Sequence, residues 1–456
     1  VLKQDEPHNR ELSYAHTLLK HTDHPFFLTG KAGTGKSTFL RDSVRHINKE
    51  FVVAAPTGIA AMNVGGMTLH SLFKLPTRPL MPEDKGIVRF HADSWRYKVL
   101  KRMQTLIIDE VSMIRADVMD AVDVALRRNL GNPLPFGGKQ VLLIGDLFQL
   151  GPVVSSIKNE RELLERFYDS PYFFDAQVFR RMASSGMGLP AIELQQVYRQ
   201  RDMTFIRLLD RIRQGTVEWD DLAELNLRYI GNHSPLEPQH FQITLCATNA
   251  QADQINARML ARLSGQSFEY VATTEGEFEQ KLYPTDQPLV LKVGAQVMFI
   301  RNDSEGRWVN GTIGEVYAVD KDVIQVVLED GEVHEVTRVT WENIRYTYDK
   351  EKDCIAAEVL GSFTQYPLRL AWAVTIHKSQ GLTFDNVNIN LGTGAFAAGQ
   401  LYVALSRCRT LEGITLSQKV RMRDVIVSPD VQRFAQTFND VHTIEQLIAQ
   451  KNIKPE

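Results

Sequence analysis

Short apolar runs recur through the first two hundred residues: FFLT (26–29), FVVAAP (51–56), TLIID (105–109), VLLIG (141–145) and IELQQV (192–197). Each is bounded by glycine, proline or charge, and enough chain lies between them for a crossover helix. Unbroken apolar runs suit parallel strands buried on both faces, whereas half-exposed strands alternate. The pattern predicts a doubly wound α/β domain. The stretch from about 66 to 100 interrupts it with Pro76, Pro79, Pro82 and Trp95, and reads as an inserted excursion. A second rhythm follows, with a helix near 203–214, a strand at ITLCAT (243–248) and a helix near 250–263. It resumes only at WAVTIH (372–377) and VNINL (387–391).

The segment between carries hairpin signals, Asn310-Gly311 and Asp330-Gly331, flanked by Val, Ile, Thr and Tyr. Such dipeptides fit tight turns between antiparallel strands. The chain is therefore expected to be α/β, with two doubly wound parallel-sheet domains and a small antiparallel β barrel inserted in the second. The expected limits are 1–185 for the first domain, 186–263 with 366–435 for the second, 264–365 for the barrel, and 436–456 for a C-terminal helical tail.

Composition narrows the function. The 456 residues hold 52 basic and 55 acidic side chains, a net charge of −3. That excludes a uniformly basic coat, so any nucleic acid must be held in a local channel. Cys246, Cys354 and Cys408 are far apart, no C-x-x-C occurs, and His24, His70, His240 and His377 lack ligand spacing. A disulfide framework and a zinc module are both disfavoured, and a reducing compartment fits. The expected location is cytoplasmic or nucleoid-associated in a bacterium, and nuclear in a eukaryote. No run of 18 apolar residues could span a membrane. The opening VLKQDEPHNRE resembles neither a signal peptide nor a transit sequence.

The chemistry concentrates at strand ends. Residues 30–38 read GKAGTGKST, which fits G-x-x-x-x-G-K-[ST] with a strand before it and a helix after it. Gly30 and Gly35 let the backbone close on phosphate oxygens, with Ala32, Gly33, Thr34 and Thr38 completing the cradle. Lys36 would reach the β- and γ-phosphates of ATP, and the Ser37 hydroxyl would ligate Mg2+. In LIIDE (106–110), Asp109 would hold the magnesium ion and Glu110 would polarise the attacking water. GDLFQLGPV (145–153) offers Asp146 and Gln149, whose amide can contact both γ-phosphate and water. Arg199 in QQVYRQ and Arg407 in YVALSRCR could neutralise transition-state charge from a second domain. Spacing alone does not separate them from surface arginines.

The ordered set is more specific than any member. GKAGTGKST, APTGIAA (55–61), TLHSLF (68–73), LIIDEVSM (106–113), GDLFQLGPV, VYRQ, TIHKSQG (375–381) and YVALSR together resemble superfamily 1 helicases. The match is strongest to the 5′-to-3′ PIF-type DNA helicases related to the RecD group, which share VDVALRR (122–128) leading to PFGGKQ (135–140). The resemblance implies two RecA-like motor domains that use ATP and Mg2+ on single-stranded DNA and on tailed or forked duplexes. It implies ATP-site roles for Lys36, Ser37, Asp109, Glu110, Gln149, Arg199 and Arg407, and a nucleotide-side role for Gly381. It also implies strand contacts from Thr57, Gly58, Thr68, His70, Thr375, His377 and Ser379. Work in DNA repair, recombination and telomere maintenance, by a monomer, goes with that family.

Two departures are visible. HNRELSYAH (8–16) carries Glu11 where the family places an adenine-reading glutamine, and Gly151 replaces a proline. Phe73 and Trp95 are the aromatic residues placed to act as a wedge at a duplex junction. The alternative reading is an ATP-gated clamp that holds single-stranded DNA without unwinding. A phosphate-loop kinase or transporter ATPase would predict neither TIHKSQG nor the second-domain arginines.

Overall fold

Strands β1 (Phe26–Gly30), β2 (Phe51–Ala55), β3 (Met67–Thr68), β4 (Thr105–Ile108), β5 (Gln140–Ile144) and β6 (Ala191–Leu194) form one sheet in the order β3-β2-β4-β5-β1-β6. All its pairings are parallel. The computed structural model describes residues 9–154, 158–198, 200, 202–231, 241–321, 323–349, 351 and 354–449.

Why the runs are unbroken is visible in the packing. Successive side chains point to opposite faces, so Phe27, Leu106, Ile108, Val141 and Leu143 enter one core. Phe26, Leu28, Ile107, Leu142 and Ile144 enter the other. That second face is covered by Leu18, Leu19, Phe39 and Leu40, together with Ile444 and Ile448 from the last helix, Val441–Ala449. The expected tail is thus docked on the first domain, where Glu445 accepts from Tyr14 at 2.6 Å and from Arg10 at 2.9 Å.

The domain limit at 185 is corrected. β6 lies beyond it yet pairs with β1, Phe27 opposite Ala191 and Gly30 opposite Leu194, because its AIEL backbone completes the edge of the first sheet. The excursion is partly structural too. β3 is an edge strand beside β2, and the proline-rich loop is clasped where Arg78 grips Asp84 at 2.8 and 2.9 Å. Arg128 also donates to the Asp84 carbonyl at 2.8 Å. Phe73 is fully buried, so it cannot present a wedge. Trp95 begins a helix, Trp95–Arg102, and is half-buried.

The second sheet starts with β7 (Ile243–Cys246). The insert then contributes β8 (Phe268–Tyr270), β9 (Thr273–Gly276), β10 (Leu289–Leu291), β11 (Gln296–Phe299), β12 (Ile313–Val319), β13 (Ile324–Leu328), β14 (Val333–Val336), β15 (Val339–Asp349), β16 (Cys354–Gln365) and β17 (Leu368–Leu370). β18 (Ala373–Thr375), β19 (Val387–Asn390) and β20 (Ile414–Leu416) complete a parallel sheet in the order β18-β7-β19-β20.

The insert closes on an apolar core of its own, with Tyr270, Leu289, Val297, Val326 and Leu368 inside it. Its strands form three antiparallel sheets, β14-β13-β12-β11-β17, β10-β8 and β15-β16-β9. It also runs past 365, since β17 pairs with β11. Asp330-Gly331 joins β13 to β14, with Gly331 at φ 84°, as a tight turn requires. Asn310-Gly311 instead ends a longer connection between β11 and β12, closed by the Gly311 amide on the Phe299 carbonyl at 2.8 Å. The long β15–β16 hairpin lies against the first domain: the Tyr346 hydroxyl donates to the Gly65 carbonyl at 3.3 Å, and Arg345 sits 5.7 Å from the Trp95 ring centre.

Candidate active site

β1 ends at Gly30, where a Cβ would fall 2.6 Å from the Thr34 hydroxyl and 3.0 Å from the Leu194 carbonyl. The loop then turns through Gly33 and Gly35, both at positive φ, and Gly35 caps the helix Lys36–His46. A helix start with free amides favours anions. Lys36 donates through Nζ to the Gly30 carbonyl at 2.6 Å and the Lys31 carbonyl at 3.0 Å, which holds the ammonium at the loop. Ser37 and Thr38 are exposed in the first helical turn.

Asp109 and Glu110 follow β4, and the Asp109 amide bonds the Ala54 carbonyl at 2.9 Å. Burial, then the Asp109 carboxylate, push Glu110 up to about 7, while Lys36 and Arg407 pull it down. Burial raises Asp109 as well, against Lys36. Ser37 and Asp109 offer hard oxygen donors, which suits a magnesium ion that keeps several waters. Such an ion would polarise the phosphates when bound. Among the described residues no group of three or more His, Cys, Asp or Glu is placed to hold a metal ion by itself.

The Glu110 shift has a measurable sign. A raised carboxyl pKa means that the folded state binds the proton more tightly than the unfolded chain. Stability is therefore lost as pH rises from the ordinary glutamate range through 7. Glu110→Gln in nucleotide-free, magnesium-free protein is expected to melt higher than wild type at pH 8, with the gap closing near pH 4.5. A melt difference independent of pH would contradict this.

The third motif is built around Asp146, which is buried. It accepts from the Phe148 amide at 3.2 Å, Gln149 Nε2 at 3.3 Å, Arg213 Nη2 at 3.1 Å and the Tyr402 hydroxyl at 3.3 Å. Arg213 comes from the helix Met203–Gln214, and Tyr402 from the helix Gln400–Leu405. Burial and the Asp146 carboxylate raise the Tyr402 pKa, which keeps its phenol protonated as a donor. Gly399 begins the latter helix at φ 75°, where a Cβ would lie 2.4 Å from the Phe148 carbonyl and 2.5 Å from that of Gln149. Only glycine lets the two domains approach so closely there.

Arg407 is buried at 1% exposure. Its guanidinium donates to the carbonyls of Val403 at 3.0 Å, Leu382 at 3.3 Å and Ser379 at 3.4 Å, and to the Ser406 hydroxyl at 2.7 Å. It is therefore braced by its own domain, close enough to Glu110 to act on its pKa. Arg199 lies outside the described residues.

The expected strand contacts divide. Thr57 is exposed and caps the helix Gly58–Asn63 through the Ala60 amide, and Thr68 caps Leu69–Phe73 through the Ser71 amide. A Cβ on Gly58 would meet Leu282 of the insert at 2.5 Å, so the insert covers this point. His70 and His377 are half-buried, and burial lowers the His377 pKa. Thr375 and Ser379 are the least exposed of the set. Both are buried, Thr375 accepting from the Lys378 amide at 3.3 Å and Ser379 donating to the Ile376 carbonyl at 2.8 Å. TIHKSQG folds as a tight turn after β18, which points its hydroxyls inward and leaves Lys378 exposed. Gly381 sits in that turn at φ 80° with open space around it.

Lys31, Arg213, Asp210 and Tyr402 were not singled out by sequence reasoning. Tyr402 lies within YVALSR, and its hydroxyl was the available signal.

A family model described as PIF1-like helicase matches residues 12–222. The chain is 31% identical to the ATP-dependent DNA helicase Pif1 of Bdellovibrio bacteriovorus, over 90% of its own length and 88% of that protein. It is 34% identical to the human ATP-dependent DNA helicase PIF1 over 85% of its own length but spans only 57% of that protein. The structure of Bacteroides sp Pif1 in complex with ADP-AlF4 has a TM-score of 0.85 at 40% identity, covering 95% of this chain and 97% of that one. The Bacteroides protein bound to ssDNA gives 0.68, and a structure of two coordinating Pif1 helicases at forked dsDNA gives 0.67. With a phosphate loop and acid pair on one domain and a buried arginine on the other, this chain belongs to the PIF1-like helicase family, within superfamily 1.

Proposed function

We infer that the chain is an ATP-dependent DNA helicase that binds single-stranded DNA, moves along it 5′ to 3′, and unwinds tailed or forked duplexes. The observation that carries this reading is the shared cleft. Lys36, Asp109 and Glu110 follow strands of one sheet, while Tyr402 comes from a helix of the other domain and Arg407 from the turn just past that helix.

In that cleft the loop amides and Lys36 hold the phosphates, and Glu110 takes the proton of the attacking water. Gln149 orients that water from its seat on Asp146, and Arg407, with Arg199, meets the γ-phosphoryl charge. Magnesium held by Ser37 and Asp109 would add charge neutralisation. Thr57, Thr68, His70, His377 and Lys378 are polar groups suited to a strand held without sequence readout. A monomer is the proposed catalytic unit, supported by Lys36, Asp109, Glu110, Tyr402 and Arg407 all coming from one chain. No helix among the described residues is long and apolar enough to cross a membrane, and a DNA substrate fits the cytoplasm or nucleoid of a bacterium, or the nucleus of a eukaryote.

Strand displacement on matched 5′-tailed and 3′-tailed duplexes tests this reading. Product is expected from the 5′ tail with ATP, and from neither substrate without it. DNA-stimulated hydrolysis with no displaced strand would favour the clamp; turnover indifferent to DNA would favour a kinase or transporter ATPase.

A further inference from the structure

Three successive residues of the phosphate loop are gripped from outside it. Lys31 Nζ pairs with Asp210 at 2.6 Å. The Ala32 amide donates to the Tyr402 hydroxyl at 3.0 Å. The Gly33 carbonyl accepts from the Tyr198 amide at 2.9 Å. Asp210 and Tyr402 sit on the two second-domain helices that pack together, and Tyr198 lies on the connector leading to them. The same Tyr402 hydroxyl reaches Asp146 at 3.3 Å, so one atom joins the loop to the third motif.

Arg213 reinforces the join. It donates to Asp146 at 3.1 Å and to Glu193, just inside the end of β6, at 2.8 Å, and its plane lies 4.2 Å from the Phe148 ring centre. Its side chain is 2% exposed, and its Nε has no hydrogen-bond partner among the described residues. Burying such a group is costly unless its geometry is fixed by partners.

We propose that Tyr402, Asp210 and Arg213 form a clasp through which the second domain reads the conformation of residues 31–33, separately from its arginine contact with the γ-phosphate. The clasp residues are positioning residues. Tyr402 lies in the helix Gln400–Leu405 and Arg407 just past its end, tied back to the Val403 carbonyl at 3.0 Å, so a shift of the Ala32 amide on nucleotide binding moves the arginine with it. Nucleotide state thereby passes to the strand-holding side, and by linkage the strand acts back on the nucleotide. The clasp rests on the reading of this cleft as the ATP site.

Tyr402→Phe removes only the hydroxyl. Three quantities decide: DNA-stimulated kcat, KM for ATP, and oligothymidine affinity with and without a non-hydrolysable ATP analogue. The expected result is a fall in kcat of about tenfold, as one lost hydrogen bond in the transition state would give. KM and nucleotide-free strand affinity should stay within about twofold, and the analogue's effect on strand affinity should shrink towards none. Asp210→Asn, on a half-buried side chain, should move the same quantities less far, and it decides the matter if Tyr402→Phe does not fold. Unchanged kcat and unchanged coupling would overturn the clasp. So would a joint loss in which kcat, strand affinity and thermal midpoint fall while KM for ATP rises, which marks a merely structural bond. If wild-type and Lys36→Ala proteins hydrolyse ATP alike, the reading of the cleft fails instead, and the two failures are distinct.

Discussion

Lys36→Ala is expected to reduce ATP turnover by at least about 10²–10³-fold, the loss found when one preorganised charge-stabilising donor is removed from a reacting centre. The lysine is only half-buried, and its Nζ bonds two carbonyls of its own loop rather than core groups. The thermal midpoint should therefore change little. Phosphate release measured with saturating oligothymidine checks the first statement, and a melt checks the second. Turnover near the wild-type level would remove the phosphate-loop assignment.

Arg407→Ala is expected to produce two effects together. Hydrolysis should fall by about 10³–10⁵, the range for a guanidinium that meets transferring phosphoryl charge. Stability should fall as well. The side chain is fully enclosed, and its removal strips donors from the Val403, Leu382 and Ser379 carbonyls. A buried group left unpaired costs about 1–3 kcal/mol. Arg407→Lys separates the two, since an ammonium can satisfy some of these carbonyls but cannot present the same fork. The lysine variant should recover much of the melting temperature while turnover stays low. Single-stranded DNA binding without nucleotide should survive. Lost strand binding at unchanged hydrolysis would move Arg407 to the other side of the cleft.

Much of this site could be read along the chain because its parts are local. A phosphate loop is a continuous string whose glycines and lysine have fixed spacing, and LIIDE marks its own place at a strand end. The parallel strands were readable because burial on both faces leaves an unbroken apolar run. What could not be read depends on distant pairing. AIEL has the same apolar character whether it edges the first sheet or opens the second, and only its pairing with β1 decides. Asn310-Gly311 has the composition of a two-residue turn, but the connection it closes is set by where β11 ends. The orientation of Thr375 and Ser379 follows from a tight turn that spacing does not reveal. Lys31–Asp210 and Ala32–Tyr402 span 179 and 370 residues, beyond any local pattern.

The central claim is that two parallel sheets close on a single nucleoside triphosphate. A crystal structure of this chain with ADP, aluminium fluoride, magnesium and oligothymidine tests it most directly. The account predicts Lys36 and Arg407 on opposite sides of the same fluoride, with Glu110 facing the attacking water. A guanidinium still turned to the Ser379 and Leu382 carbonyls, far from the bound analogue, would contradict it.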